Sequence, residues 1–245
     1  MMANAVIELK KVSFHAQNAV IVEDFSAQFA EGRSTALVGP SGGGKSTVLK
    51  LAAGLLVPAR GEVLYRDRNI AAMNRAQNLV FRREAAMVFQ DSALWANRNL
   101  SETLDLPLRI HYPEMRTEER RRRIREVTLQ AGYRKNLDIR PALLSMGEQK
   151  LIAFARAMLC RPSLLFLDEW TESLDDDAAR RLITLVRQFR AAGNTIIFIS
   201  HDLEVVTNLA DYVIMVAGGK KVMELEGSEI SGNALVQMMV EDGTA

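Results

Sequence analysis

Short apolar runs, often β-branched, alternate along the chain with longer stretches in which apolar residues recur at helical spacing. The inner runs are nearly continuous in apolar residues, which is typical of parallel strands buried on both faces of a sheet. The predicted strands cover residues 6–14, 34–39, 85–90, 164–169, 195–200 and 212–225. The predicted helices cover residues 45–56, 117–132, 146–160, 176–192 and 202–210. This order predicts an α/β fold with a nucleotide site at the carboxyl ends of the strands.

Two parts of the chain have a different pattern. The N-terminal strands, together with the hairpin suggested by AGGKKV (217–222), are expected to be antiparallel and to form a side layer. Residues 91–160 are rich in Arg, Glu and Leu without a strong strand, and we interpret them as a helical subdomain inserted into a core of residues 1–90 and 161–245. The basic run 120–125 can bind phosphate or lipid headgroups, but a solvated helix face is the favoured interpretation.

Composition and charge narrow the class of protein. The chain has 245 residues, 48% of them hydrophobic, which is enough for one substantial core. Its net charge of +1 gives no general attraction to nucleic acid, so no nucleic-acid partner is expected. The single cysteine, Cys160, excludes an internal disulfide.

The N-terminus has no long apolar segment typical of a secretory signal, and the apolar runs are far shorter than the roughly 20 residues of a membrane span. We therefore expect a chain that does not cross a membrane by itself.

The sequence GPSGGGKST, after one predicted strand and before a helix, matches the phosphate-binding pattern G-x-x-x-x-G-K-[ST]. Glycines let consecutive N–H groups turn toward an anion, and the helix adds its positive end. We expect Lys45 to reach the β- and γ-phosphates and the Ser46 hydroxyl to bind Mg²⁺. The predicted nucleotide-binding residues are Gly39, Pro40, Ser41, Gly42, Gly43, Gly44, Lys45, Ser46 and Thr47.

Acidic and histidine side chains follow two other apolar strands. In LLFLDE, Asp168 ends a strand where its carboxylate can hold Mg²⁺, and Glu169 is placed to polarise a water that attacks the γ-phosphate. In FISHD, His201 follows the next strand within reach of the same phosphate. A lone histidine is usually structural, so the assignment of His201 depends on its place in this series.

Together these motifs resemble the ATP-binding cassette (ABC) ATPases, and the resemblance covers nearly the whole chain. It implies a P-loop NTPase core that binds and hydrolyses ATP with Mg²⁺. In the family's order, VFQ supplies the Q-loop residue Gln90, LSMGEQ (144–149) is the signature, and ESLD (172–175) is the D-loop that ends in Asp175. The resemblance implies that Gln90 contacts Mg²⁺ or the attacking water and that His201 is the switch histidine.

The resemblance also implies partners. ABC cassettes pack head to tail, so that each ATP lies between one subunit's phosphate loop and the other's signature. A second ATPase subunit, most simply an identical one, and integral-membrane permease subunits are therefore expected, with the chain cytoplasmic and peripheral at the inner face of the membrane. The signature residues that would face the partner's ATP are Ser145, Met146, Gly147 and Glu148.

The signature and the turn after Glu169 depart from the family pattern. Met146 replaces a glycine, and Leu151 stands where a basic residue often follows. A Cβ at position 146 clashes if the backbone there needs a positive φ or if ATP packs against it, and it is tolerable if that residue is helical. Trp170 replaces the usual proline after the catalytic glutamate, which alters the turn but leaves both carboxylates.

A third departure concerns the nucleotide base. Family members often stack adenine on an aromatic residue about 23 positions before the phosphate loop, and that position here is Ala16. Phe14 is expected to be a core residue, and His15 is the alternative partner of the base.

The stretch after Gln90, residues 89–109, resembles the ATPases of Mla/Mce-type phospholipid transport systems, whose partners include a lipid-binding accessory protein. Alternatively, Ala93, Leu94 and Trp95 simply pack the subdomain. Import of another solute or ion, and a soluble ATPase without a transport role, remain as alternative functions. A regulatory module with little hydrolysis is disfavoured by Glu169 and His201.

Overall fold

A computed structural model describes residues 4–17 and 19–230. Its strands are β1 (Ala5–Ala16), β2 (Ala19–Ala30), β3 (Ser34–Val38), β4 (Arg60–Tyr65), β5 (Arg68–Asn69), β6 (Ala85–Val88), β7 (Leu164–Asp168), β8 (Thr195–Ile199), β9 (Tyr212–Ala217) and β10 (Lys220–Glu226). Its α-helices are α1 (Lys45–Ala52), α2 (Arg75–Glu84), α3 (Leu100–His111), α4 (Thr117–Ala131), α5 (Met146–Met158), α6 (Asp176–Ala191) and α7 (Leu203–Leu209). No helix within the described residues is both long and apolar enough to span a membrane.

The central sheet has six strands in the order β10-β9-β3-β8-β7-β6. All neighbours pair in parallel except β10, which is antiparallel to β9. The interior strands β3, β7 and β8 are buried at every residue. Alternate residues of β8 face two different cores, Ile197 and Ile199 on one side and Ile196 and Phe198 on the other. This two-sided burial explains the nearly continuous apolar runs and confirms the predicted α/β class.

The antiparallel side layer has the strand order β2-β1-β4-β5. Its apolar residues and those of α1 form one core with the central sheet. The predicted C-terminal hairpin is present as β9 and β10, but it extends the central sheet, so its assignment to the side layer was wrong. Strand β9 pairs in parallel with β3, and its residues 213–216 are buried, as expected for a strand inside the central sheet.

The apolar pattern does not locate β2, β4, α2 or α3. Strand β2 pairs with β1 through repeated register shifts, and Asp24 adopts a φ of 45°, so the period-two alternation that marks a strand is broken. Helix α2 buries only Phe81, and α3 contains Pro107. Helix α2 therefore lacks a clear apolar stripe, and the proline argues against a helix at α3, although Leu100, Leu104 and Leu108 share one buried face.

Residues 91–160 contain α3, α4 and α5 and no strand. Helix α4 ends, as predicted, at Gly132, which has a φ of 101°. In the basic run, Arg121, Arg122 and Arg125 are exposed. Arg120 departs from the expected solvated face, because its side chain is only 14% exposed and its Nε donates to Asp105 at 2.7 Å. The division into a core and a helical subdomain stays a prediction, and residues 1–3, 18 and 231–245 of that core lie outside the described residues.

The β9–β10 turn joins the central sheet to the loop that follows β3. Gly218 and Gly219 form a two-residue turn with φ values of 55° and 74°. The Gly219 N–H donates to the Gly43 carbonyl at 3.0 Å, and the Gly219 carbonyl accepts the Glu23 N–H at 3.1 Å. A Cβ on Gly219 would lie 2.3 Å from the Ile21 carbonyl oxygen, whereas a Cβ on Gly218 would meet nothing within 4 Å. The turn therefore holds the loop after β3 against β2.

Substitution of these two adjacent glycines should separate backbone strain from this close contact. Gly218→Ala is expected to destabilise the protein by about 1–2 kcal/mol, the strain of a positive φ. Gly219→Ala adds an overpacking term of about 1–3 kcal/mol, because the new methyl group meets β2. Urea unfolding of both variants measures the difference. Equal unfolding midpoints would contradict a role for Gly219 in holding the turn against β2.

Candidate nucleotide site

The loop 39–47 leaves β3 and enters α1, as the sequence predicts. Gly39 has a φ of 142°, and a Cβ there would lie 2.0 Å from the Val216 carbonyl oxygen, so only glycine fits beside β9. The Lys45 side chain folds back over the loop, where its Nζ donates to the Gly39 carbonyl at 2.7 Å and to the Pro40 carbonyl at 3.0 Å. Burial lowers the pKa of Lys45, and the carboxylates of Glu169 and Asp168 oppose this effect.

Ser46, the second residue of α1, meets the carboxylate at the end of β7. The Ser46 hydroxyl donates to Asp168 Oδ1 at 3.1 Å, and Asp168 is only 1% exposed. Burial raises the pKa of the Asp168 carboxyl, whereas the hydrogen bond from Ser46 lowers it. A hydroxyl and a carboxylate oxygen this close are the donor set that Mg²⁺ takes when phosphates and water complete its shell. Within the described residues no three His, Cys, Asp or Glu side chains form a metal site.

Glu169 is the centre of the polar network at this edge of the sheet. Its Oε2 accepts from Gln90 Nε2 at 2.6 Å, and its Oε1 lies 3.0 Å from His201 Nε2. Gln90 Nε2 is also 3.3 Å from Glu172 Oε2. The structure therefore brings together Gln90, Glu169 and His201, which come from three separate strand ends.

A cavity of about 380 Å³ opens between the phosphate loop and this network. Its lining consists of Ile21 from the side layer, loop residues 41–47, Gln90, Glu169 and His201. Phe14 packs against the core, as expected, while His15 and Ala16 are exposed and line no part of this cavity. The side-layer residue at the cavity is instead Ile21, which the sequence reasoning missed because β2 was not located.

The signature residues lie at the start of α5 and line no part of this cavity. Ser145 is the N-cap, where its Oγ accepts the Glu148 N–H at 3.2 Å and Glu148 Oε2 accepts the Ser145 N–H at 3.0 Å. Met146 is the first residue of the helix, has no positive φ, and is 54% exposed. The backbone clash considered for methionine therefore does not arise, and the free helix N-terminus remains suited to an anion.

Neighbouring residues hold this end of α5 in place. Lys135 Nζ lies 2.6 Å from Glu148 Oε1, and this hydrogen bond lowers the pKa of Glu148. A Cβ on Gly147 would lie 3.1 Å from the Ser173 carbonyl, so the D-loop passes close to the signature helix. Asp175, the last D-loop residue, is the N-cap of α6 and accepts the Ala178 N–H at 2.8 Å.

Trp170, in place of proline, is fully buried and meets Phe198 edge to face with ring centroids 5.7 Å apart. Both carboxylates before it keep their places at the strand end, as expected. Leu151, in place of a basic residue, is a core residue of α5.

Lys150 is a polar residue near the site that sequence reasoning missed. It is 1% exposed, and its Nζ donates to the Glu169 carbonyl at 2.9 Å. Burial lowers the pKa of Lys150, and nearby carboxylates, including Glu172 and Glu169, raise it. A signal was available, because residue 150 shares the apolar stripe of α5 with Phe154 and Ala157, three to four residues apart.

Comparison with known proteins agrees with this geometry. The family model described as ABC transporter matches residues 22–172, more than half of the chain. The intermembrane phospholipid transport ATP-binding protein MlaF of Haemophilus influenzae is 32% identical over 89% of this chain and 83% of that protein. The methionine import ATP-binding protein MetN of Corynebacterium jeikeium is 32% identical over 86% of this chain and 57% of that protein.

A solved structure is also similar over almost the whole chain. The dimeric, post-hydrolysis ATP-binding cassette MJ0796 bound to ADP and Pi has a TM-score of 0.82 and 27% identity, and the match covers 90% of this chain and 98% of that one. The match confirms the predicted P-loop ATPase fold with its antiparallel layer. We conclude that the chain belongs to the ABC transporter family, as a subunit that binds and hydrolyses ATP.

Proposed function

We propose that this ATPase drives a phospholipid transporter of the Mla/Mce type, as one of two identical ATPase subunits beneath integral-membrane permease subunits. The observation that carries the lipid assignment is the similarity to MlaF, together with the pattern of residues 89–109. In this arrangement the chain is cytoplasmic and peripheral at the inner face of the membrane. A lipid-binding accessory protein is a further partner of such a system.

A groove beside residues 89–95 supports a permease contact. It has a volume of about 320 Å³, and its lining includes Leu55, Met87, Phe89, Trp95 and Arg156. Trp95 is 43% exposed, and Leu55 is also 43% exposed. Exposed aromatic and aliphatic side chains in one groove are suited to an apolar helical segment of a partner.

At the nucleotide, the loop N–H groups and Lys45 would bind the phosphates. Ser46, Asp168 and Gln90 would hold Mg²⁺, which when bound neutralises the phosphate charge. Glu169 would take the proton of the attacking water. Each of its carboxylate oxygens accepts one hydrogen bond in the structure, from Gln90 or His201, and retains a lone pair for that proton. Gln90 and His201 would orient the carboxylate and the water.

The signature would complete the site of the partner subunit. The first turn of α5 would contact the partner's γ-phosphate through the Ser145 hydroxyl and the N–H groups of Met146 and Gly147. Because these residues line no part of the chain's own cavity, a head-to-tail dimer is the arrangement that uses both halves of each site. ATP binding would close the dimer, and hydrolysis would open it.

A second candidate function is import of a small solute. Similarity to the methionine import protein MetN, at the same 32% identity as MlaF, supports it. The two candidates share the ATPase chemistry and differ in the permease and in the transported molecule.

Purification of the membrane complex tests the lipid assignment. We expect the chain to recover a multispanning permease, and the reconstituted complex to move fluorescent phospholipid between vesicles when ATP is supplied. Trp95→Asp should reduce recovery of the permease at least about tenfold, because a charge is then buried in the contact. Leu129→Asp, at a similarly exposed residue of α4, is the matched control. ATP-driven uptake of methionine without phospholipid movement would refute the proposal.

Glu169→Gln should lower kcat roughly 100-fold or more, the effect of losing a general base, with nucleotide binding retained. Lys45→Ala should instead lose nucleotide binding, because the phosphates lose their cation. Steady-state hydrolysis and binding of a fluorescent ATP analogue separate the two effects. Normal turnover by Glu169→Gln would show that another group takes the proton.

Met146→Gly should leave the ATPase activity of the assembled complex unchanged or higher, since Met146 is helical and its side chain is exposed. Phosphate release per complex measures the effect. A loss greater than about tenfold would mean that the methionine side chain itself contributes to the dimer interface.

A further inference from the structure

We propose that Lys150 is a positioning residue for hydrolysis, which holds the main chain of Glu169 in the conformation that aims its carboxylate at Gln90 and His201. The inference rests on the proposed role of Glu169. It assigns a role in hydrolysis to a residue of the signature helix α5. Within the described residues, the side chain of Lys150 has one hydrogen-bond partner, the Glu169 carbonyl.

Glu169 has a strained main-chain conformation. Its φ is 46°, in the left-handed region that a residue with a Cβ rarely adopts. Such a conformation persists only where the surroundings impose it. The Glu169 N–H donates to the Ile199 carbonyl at 3.2 Å, and the Glu169 carbonyl accepts the Glu172 N–H at 3.3 Å. Both distances are at or just beyond the upper end of the usual range for N–H···O hydrogen bonds, so these two bonds are weaker than average.

Lys150 donates a further hydrogen bond to the Glu169 carbonyl. Its Nζ is 2.9 Å from the same carbonyl, and the donor is charged. Charge-assisted hydrogen bonds are stronger than neutral ones, so this contact is the strongest that the Glu169 backbone makes. It also fixes the direction of the carbonyl, which rotates together with the φ and ψ angles that direct the side chain.

The ammonium group of Lys150 is buried, and Lys150 is among the largest side chains that are fully buried. Taking a charged ammonium group out of water costs free energy, so packing alone does not favour a lysine over an apolar side chain here. From its place on α5, the Lys150 side chain instead reaches the Glu169 carbonyl. The start of α5 is itself held by its neighbours Lys135 and Ser173.

The experiment compares Lys150→Met, Lys150→Arg and the surface control Lys10→Met in the full chain. Lys150→Met should lower kcat about 10- to 100-fold, because the Glu169 carboxylate loses its alignment. Its KM for ATP, its affinity for a fluorescent ATP analogue and its thermal midpoint should stay close to those of the wild type. Lys150→Arg keeps a charged donor and should recover most of the lost kcat, while Lys10→Met should behave as wild type.

Any one of three results would overturn the inference. The first is a kcat for Lys150→Met within about twofold of the wild type. The second is a joint loss of kcat, nucleotide affinity and thermal midpoint, which would mean that Lys150 only supports the fold. The third is a kcat for Lys150→Arg no higher than that of Lys150→Met, which would contradict a donor role. Failure of the proposed function is distinguishable, because Glu169→Gln would then turn over normally whatever Lys150 does.

Discussion

The main chain of Ile199 is the point at which the strands that carry the site are held together. It pairs in parallel with Leu37 of β3 on one side and with Asp168 of β7 on the other, and its carbonyl accepts the Glu169 N–H. Because parallel strands end at the same edge of a sheet, the phosphate loop, the acidic pair and His201 emerge side by side. The distances among their side chains follow from this pairing, and the side layer and helices then close the edge around it.

The sequence predicted the residues of this edge well, because each follows an apolar run that can only be an interior strand. Asp168, Glu169 and His201 are such residues, and so is the loop at 39–47. The neighbours that approach from elsewhere were not predictable in the same way. Ile21 comes from a strand whose alternation is broken by register shifts, and Lys150 lies on a helix whose predicted site residues were the signature residues 145–148 alone.

Met146 illustrates how a local conformation decides the meaning of a departure from a family pattern. A glycine at that position suggests a backbone that needs a positive φ, which would exclude methionine. The capping of α5 by Ser145 and Glu148 shows that residue 146 is helical instead. A helical backbone accepts a methionine without strain, and the sequence alone does not reveal that residue 146 is helical. Trp170 is a similar case, because only the structure reveals that its side chain packs against Phe198.

The left-handed backbone at Glu169 sets stability against activity at the same residue. Glycine adopts a φ of 46° freely, so a glycine there would relieve strain and remove a partly buried carboxylate at the same time. Lys150 also buries a charged group beside this residue, which costs desolvation free energy. Selection for a more heat-resistant protein would thus tend to discard the groups around the Glu169 carboxylate first, since natural sequences retain strained and buried polar groups for function rather than for folding. A stabilised version of this chain should therefore be chosen by its turnover as well as by its melting temperature.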